Sequence, residues 1–115
     1  MTVWPPNRST LAYFDVALSW TGRDARLVVR GELDLGKIEP CGVAVEDALR
    51  GGATRLVIEL RDVTFCDSSG LRSLLRASTR CEEAGVDIRL ASPSRIVRRV
   101  INLTGLSSLL DVDDF

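Results

Sequence analysis

Asp67-Ser68-Ser69-Gly70 sets one carboxylate, two hydroxyls and a residue without a side chain at four consecutive positions. Such a group suits two tasks. It can close the first turn of a helix, because Asp and Ser accept hydrogen bonds from the backbone N–H groups that a helix start leaves unpaired. It can also hold or receive a negative group, since the positive end of the helix dipole lies there and a serine hydroxyl can carry a covalent phosphate. Gly70 lets another molecule approach the backbone closely. Taken alone, the tetrapeptide is explained most simply by Asp67 or Ser68 capping a helix.

The flanking residues supply the strand and helix that would position the turn. Arg55-Leu-Val-Ile-Glu-Leu60 is a strand-length run of aliphatic and β-branched residues, and Leu71, Leu74, Leu75 and Ala77 recur at helical spacing as far as a stop at Gly85. Earlier in the chain, Phe14–Trp20 and Arg26–Leu33 alternate around Thr21-Gly22-Arg23-Asp24, a hairpin signal. After Asp34 a helix is expected over Pro40–Arg50, ended by Gly51-Gly52. A fourth strand is expected over Val86–Ala91. A helix then starts at Pro93 with Ser92 as its cap and carries the apolar stripe Ile96, Val97, Val100 and Ile101. Leu109–Val112 reads as a short final strand, and residues 1 to 12 as an irregular lead-in to a domain over residues 13 to 115. Alternating helices and strands after a hairpin predict an α/β domain: a small mixed sheet of about four to five strands with helices packed against it.

Composition removes several function classes. At 115 residues, 45% apolar and 27% charged, the chain is one globular domain. Fifteen basic and sixteen acidic residues give a net charge of -1, which does not suit a nucleic-acid footprint. Three cysteines, Cys41, Cys66 and Cys81, and no histidine make a poor zinc set, so the thiols read as small buried hydrophobes and no metal site is expected. A serine hydrolase would lack its usual base and the Gly-x-Ser-x-Gly turn. Lys37, the only lysine, would be the sole partner for a serine–lysine arrangement, and a lone lysine reads as a solvated surface charge. Neither glycine-rich phosphate-binding signature is present, so no cofactor is expected and the chain does not read as an enzyme. No run of residues reaches membrane-spanning length and the N-terminal residues carry no long apolar core, from which a cytoplasmic protein with reduced thiols is expected.

The segment Asp62-Val-Thr-Phe-Cys-Asp-Ser-Ser-Gly-Leu71 resembles the signature of bacterial anti-sigma factor antagonists, the STAS domain family. Arg30-Gly-Glu-Leu-Asp34, Arg55–Leu60 and Val100-Ile-Asn-Leu-Thr-Gly-Leu106 extend the resemblance, in matching order, over roughly residues 13 to 112. It implies a single STAS domain whose partner is an anti-sigma factor with serine protein kinase activity, reset by a serine phosphatase. In the phosphorylatable members the serine directly after the aspartate is modified, which corresponds to Ser68; Asp34 corresponds to an aspartate near that site that influences kinase recognition. The dephosphorylated form binds the anti-sigma factor and frees the sigma factor, while the phosphorylated form lets go. Asp34, Asp67, Ser68, Ser69, Gly70 and Leu71 are then the expected partner-binding residues, with the partner packed closely over Gly70 and Leu71. Capping of the first helix is the competing role for Asp34. The alternative function is a STAS module that is not phosphorylated and serves as a scaffold or sensor. One departure from the family pattern lies at Gly36-Lys37-Ile38, where a small hydroxyl residue usually opens the first helix. Arg72, Arg76 and Arg80 recur every four positions after the turn and read as a solvated face, or as a stripe that meets acidic residues of the partner.

Overall fold

The structure, a computed structural model, describes residues 14–104, so the lead-in expected over residues 1 to 12 and the strand expected at Leu109–Val112 lie outside the described residues. The hairpin forms as its alternation predicts. β1 (Phe14–Thr21) and β2 (Asp24–Leu33) pair antiparallel from Phe14 opposite Gly31 to Thr21 opposite Asp24, turning through Gly22-Arg23. β2 then pairs parallel with β3 (Arg55–Cys66), and β3 with β4 (Asp87–Ala91), giving one four-stranded mixed sheet in the order β1-β2-β3-β4. Parallel neighbours need long crossovers. Helices α1 (Ile38–Arg50) and α2 (Ser68–Ala84) provide them, and α3 (Arg95–Thr104) follows β4.

One face of the sheet builds the core. Leu27 and Val29 of β2, Leu56, Ile58 and Leu60 of β3 and Leu90 of β4 are buried, together with Val45 and Ala48 of α1, Leu74, Ala77 and Cys81 of α2, and Val97 and Ile101 of α3. The period-two alternation sends the intervening residues of each strand to the other face. That face carries cross-strand ion pairs, Arg26 with Glu59 at 2.7 Å and Arg30 with Asp15 at 3.3 Å. No helix among the described residues is long and apolar enough to cross a membrane.

Besides shifts of one or two residues at the ends of β1, β2 and β4, three departures from the sequence expectation have a visible cause. β3 runs on from Leu60 to Cys66, because two register shifts against β2 absorb extra residues and break the alternation that would have revealed it. Gly31, at φ 95°, stands at the second of these shifts, in a backbone conformation that L side chains rarely adopt. α1 begins at Ile38 rather than Pro40, led by a short 3-10 turn over Leu35–Lys37. Pro40 falls in the first helical turn, where a missing N–H is not needed. Ser92 does not cap α3: it lies at φ 49°, and the hydroxyl of Ser94 accepts from Val97 N at 3.4 Å instead. Ser94 N–H donates to the Leu60 carbonyl at 3.2 Å, which fixes the residue after the proline to β3 and starts the helix one residue later.

Candidate functional site

The site is assembled by register. Leu33 and Cys66 are the last paired residues of the parallel strands β2 and β3, so Asp34 and Asp67, which follow them, leave the same end of the sheet side by side. Asp67 N–H reaches back to the Leu33 carbonyl at 3.4 Å and joins the two exits. Open parallel sheets commonly place ligands and partners at this carboxyl end of their strands.

Asp67 is the cap of α2. Its backbone is extended, its carboxylate accepts from Gly70 N at 2.9 Å, and its carbonyl accepts from Leu71 N at 3.0 Å. With the capping role filled, Ser68 becomes the first helical residue. It is exposed, and among the described residues its hydroxyl has no hydrogen-bond partner. Ser69 is half-buried, and its carbonyl accepts from the buried Ser73 hydroxyl at 3.4 Å. The Cys66 thiol, beneath the turn, donates to the Asp67 carbonyl at 3.6 Å. Burial, reinforced by the Asp67 charge, pushes that thiol up to about 11. Burial likewise pushes Cys41 and Cys81 up to about 11, so all three are neutral, poorly nucleophilic thiols near neutral pH.

Gly70 and Leu71, over which a partner is expected to pack, are covered by the domain itself. Leu71 is a core residue and Gly70 is buried. A Cβ at Gly70 would collide with the Leu33 carbonyl and press on the Cys66 sulfur. The close approach that the glycine allows is therefore made by this chain's own β2. What remains at the surface of the turn is Ser68 and part of Asp67 and Ser69, with Leu35 and Phe65 exposed at the same end of the sheet, 69% and 45% respectively. Sequence reasoning missed these two apolar side chains. Their signal was position: Leu35 directly follows Asp34, and Phe65 comes two residues before Asp67.

Asp34 caps the 3-10 turn that leads into α1 rather than α1 itself, whose N-cap position, Lys37, makes no side-chain capping bond. The Asp34 carboxylate accepts from Gly36 N at 3.3 Å and pairs with Lys37 Nζ at 2.9 Å. Lys37 is not the solvated charge expected of a lone lysine. Nζ also donates to the Glu32 carbonyl at 3.1 Å and lies 5.1 Å from the centre of the Phe14 ring, and the side chain is only 16% exposed. The arginine stripe divides. Arg80 binds both carboxylate oxygens of Glu46 on α1, at 2.9 Å for the Nη2 contact, and Glu83 at 3.2 Å, so it ties the two helices together. Arg72 and Arg76 are exposed and make no ion pair or hydrogen bond among the described residues. A groove of about 560 Å³ lies between α1 and α2, with Val43, Val45 and Ala77 along its apolar floor.

The family model described as "Mlab, STAS domain" matches residues 16–111. The chain belongs to the STAS domain family. Among curated relatives, the STAS domain is 35% identical over 57 residues to the "Anti-sigma-F factor antagonist RsfA" of Mycobacterium tuberculosis, covering 50% of this chain and 44% of that protein. The match therefore spans less than half the length of that relative. Solved structures agree on the fold over most of the domain. An anti-sigma factor antagonist from Mycobacterium paratuberculosis superposes with a TM-score of 0.78 at 21% identity, covering 90% of this chain and 87% of that one. The unphosphorylated anti-sigma factor antagonist SpoIIAA superposes with a TM-score of 0.71 at 24% identity, covering 87% and 89%.

Proposed function

We propose that this STAS domain is an anti-sigma factor antagonist whose dephosphorylated form binds an anti-sigma factor, frees the sigma factor, and is switched off when the partner's serine kinase activity phosphorylates Ser68. The observation that carries the reading is the state of Ser68: exposed, at the first position of α2, and released from capping by Asp67. A hydroxyl so placed is accessible without unfolding the helix. Phosphate there brings about 1.5 to 2 negative charges, which the helix dipole eases and Asp67 and Asp34 oppose. The fold tolerates that charge at its surface. A partner packed over Ser68 and the exposed Leu35 and Phe65 does not, because it must desolvate the phosphate or face like-charge repulsion. Binding is thereby switched with no rearrangement of the domain. Asp34, beside the turn, shapes the partner's contact while holding its own loop. A serine phosphatase resets the switch.

Intact-mass measurement after incubation with a candidate partner kinase and ATP tests the reading. One added phosphate, absent in Ser68→Ala, is the expected result. Ser68→Asp should weaken anti-sigma binding and Ser68→Ala should retain it. Equal affinities across the parent and both variants would remove Ser68 from the mechanism, and a phosphate located on Ser69 would move the switch by one residue.

A further inference from the structure

We propose that Arg72 is an intramolecular receptor for a phosphate on Ser68, so that phosphorylation adds an anion to the turn and at the same time withdraws the neighbouring cation. The inference rests on Ser68 being the phosphoacceptor. Ser68 and Arg72 are four residues apart in α2 and both are exposed. Residues at this spacing lie on one helix face, one turn apart. Helical side chains lean toward the N-terminus, so a long side chain at the fifth position reaches back over the first. An acid placed N-terminal to a base is also the more favourable orientation of such a pair.

The other cations around the turn are less suitable. Lys37 is held by Asp34, by the Glu32 carbonyl and over the Phe14 ring. Arg76 stands two turns from Ser68, about 12 Å along the axis. Arg80 is engaged with Glu46 and Glu83. Two of the backbone donors at the turn are already used, Gly70 N–H by the Asp67 carboxylate and Leu71 N–H by the Asp67 carbonyl, which leaves those of Ser68 and Ser69 to assist a side-chain cation. Arg72 has no competing partner among the described residues. A guanidinium binds phosphate through two parallel N–H donors, which suits it to a dianion that must sit near Asp67 and Asp34. The consequence for docking is a larger change in local charge than phosphate alone produces. In the dephosphorylated protein Arg72 is free to meet an acidic group on the partner; in the phosphorylated protein it is already paired.

The test uses the full chain with phosphoserine incorporated directly at position 68, so that its outcome does not depend on any kinase. Titration of the phosphoserine by phosphorus NMR should show a second ionisation constant about twofold or more larger in the parent than in Arg72→Ala, the scale of a helix ion pair. Arg72→Lys should recover part of the difference, and high salt should erase it. The unphosphorylated Arg72→Ala protein should melt like its parent, since an exposed alanine suits a helix. Identical titration curves in parent and Arg72→Ala would overturn the inference. That result, beside efficient phosphorylation of Ser68 by a partner kinase, would sink the role of Arg72 alone. A parent that titrates as expected but is never phosphorylated would sink the switch and leave the pair standing.

Discussion

The two strand exits at the carboxyl end of the sheet start alike and end differently. Asp34 and Asp67 both follow residues paired in register, both have extended backbones, and both turn a carboxylate onto a backbone N–H two or three residues ahead. After Asp67 a helix of seventeen residues begins at once, with Gly70 seated on the neighbouring strand exit. After Asp34 the chain makes a 3-10 turn, and the carboxylate is divided between Gly36 N and the Lys37 ammonium. One aspartate is committed to architecture and leaves a serine free beside it. The other is held by a side chain, and a neutral substitute can still cap. The contrast suggests that the α2 exit fixes the geometry of the site while the β2 exit can vary its surface.

The contrast is broken most severely at Gly70. Gly70→Ala should destabilise the domain by about 1–3 kcal/mol, lowering the melting temperature by roughly 5–15 °C, because the new methyl group must displace the Leu33 carbonyl rather than a flexible side chain. Thermal unfolding followed by circular dichroism measures it. A variant that melts like the parent would show that the two exits are not in contact. Asp67→Ala comes next, with a loss of about 1 kcal/mol from the missing cap, detectable as a shift in the urea midpoint.

At the β2 exit, Asp34→Asn should separate binding from stability. Asparagine still caps, so stability should fall by less than about 1 kcal/mol, while the pair with Lys37 is lost. Phosphorylation or partner binding should fall further than stability does. A melting shift of several degrees with unchanged binding would make both aspartates architectural. The smallest effect is expected at Glu46. Arg80 hydrogen-bonds the Glu46 carboxyl and holds it below the ordinary glutamate value. The contribution is therefore complete above that ordinary value and is lost as pH falls through the lowered one. Denaturation of Glu46→Gln against pH should lack this slight acid-side decline, and added salt should shrink it in the parent.

The parts of the site written in local residue types were legible without coordinates. Asp67 caps α2, Ser68 follows it, and Gly85 ends the helix in a left-handed conformation at φ 71°. What depends on long-range pairing was not legible. β3 hides its second half because its buried residues step from Leu60 to Val63 and then to Cys66, a spacing neither two nor 3.6. The reason for Gly70 lies 37 residues earlier, in the Leu33 carbonyl, so its neighbours in sequence suggest only an exposed turn. Lys37 looks solitary in the sequence because two of its three partners, the Glu32 carbonyl and Phe14, are supplied by the folded sheet. Ser92 and Ser94 flank the same proline, and only the Leu60 carbonyl distinguishes the cap from the bystander.

The contact between Gly70 and Leu33 joins two main chains, and main chains do not change identity when a sequence drifts. The separation of the two aspartates, and with it the place where Ser68 emerges, is therefore insulated from substitutions at Leu35, Phe65 and Arg72 around it. Those exposed positions can vary while the Ser68 hydroxyl stays where it is. A few surface changes can thus give the domain a new face without disturbing the turn beneath it.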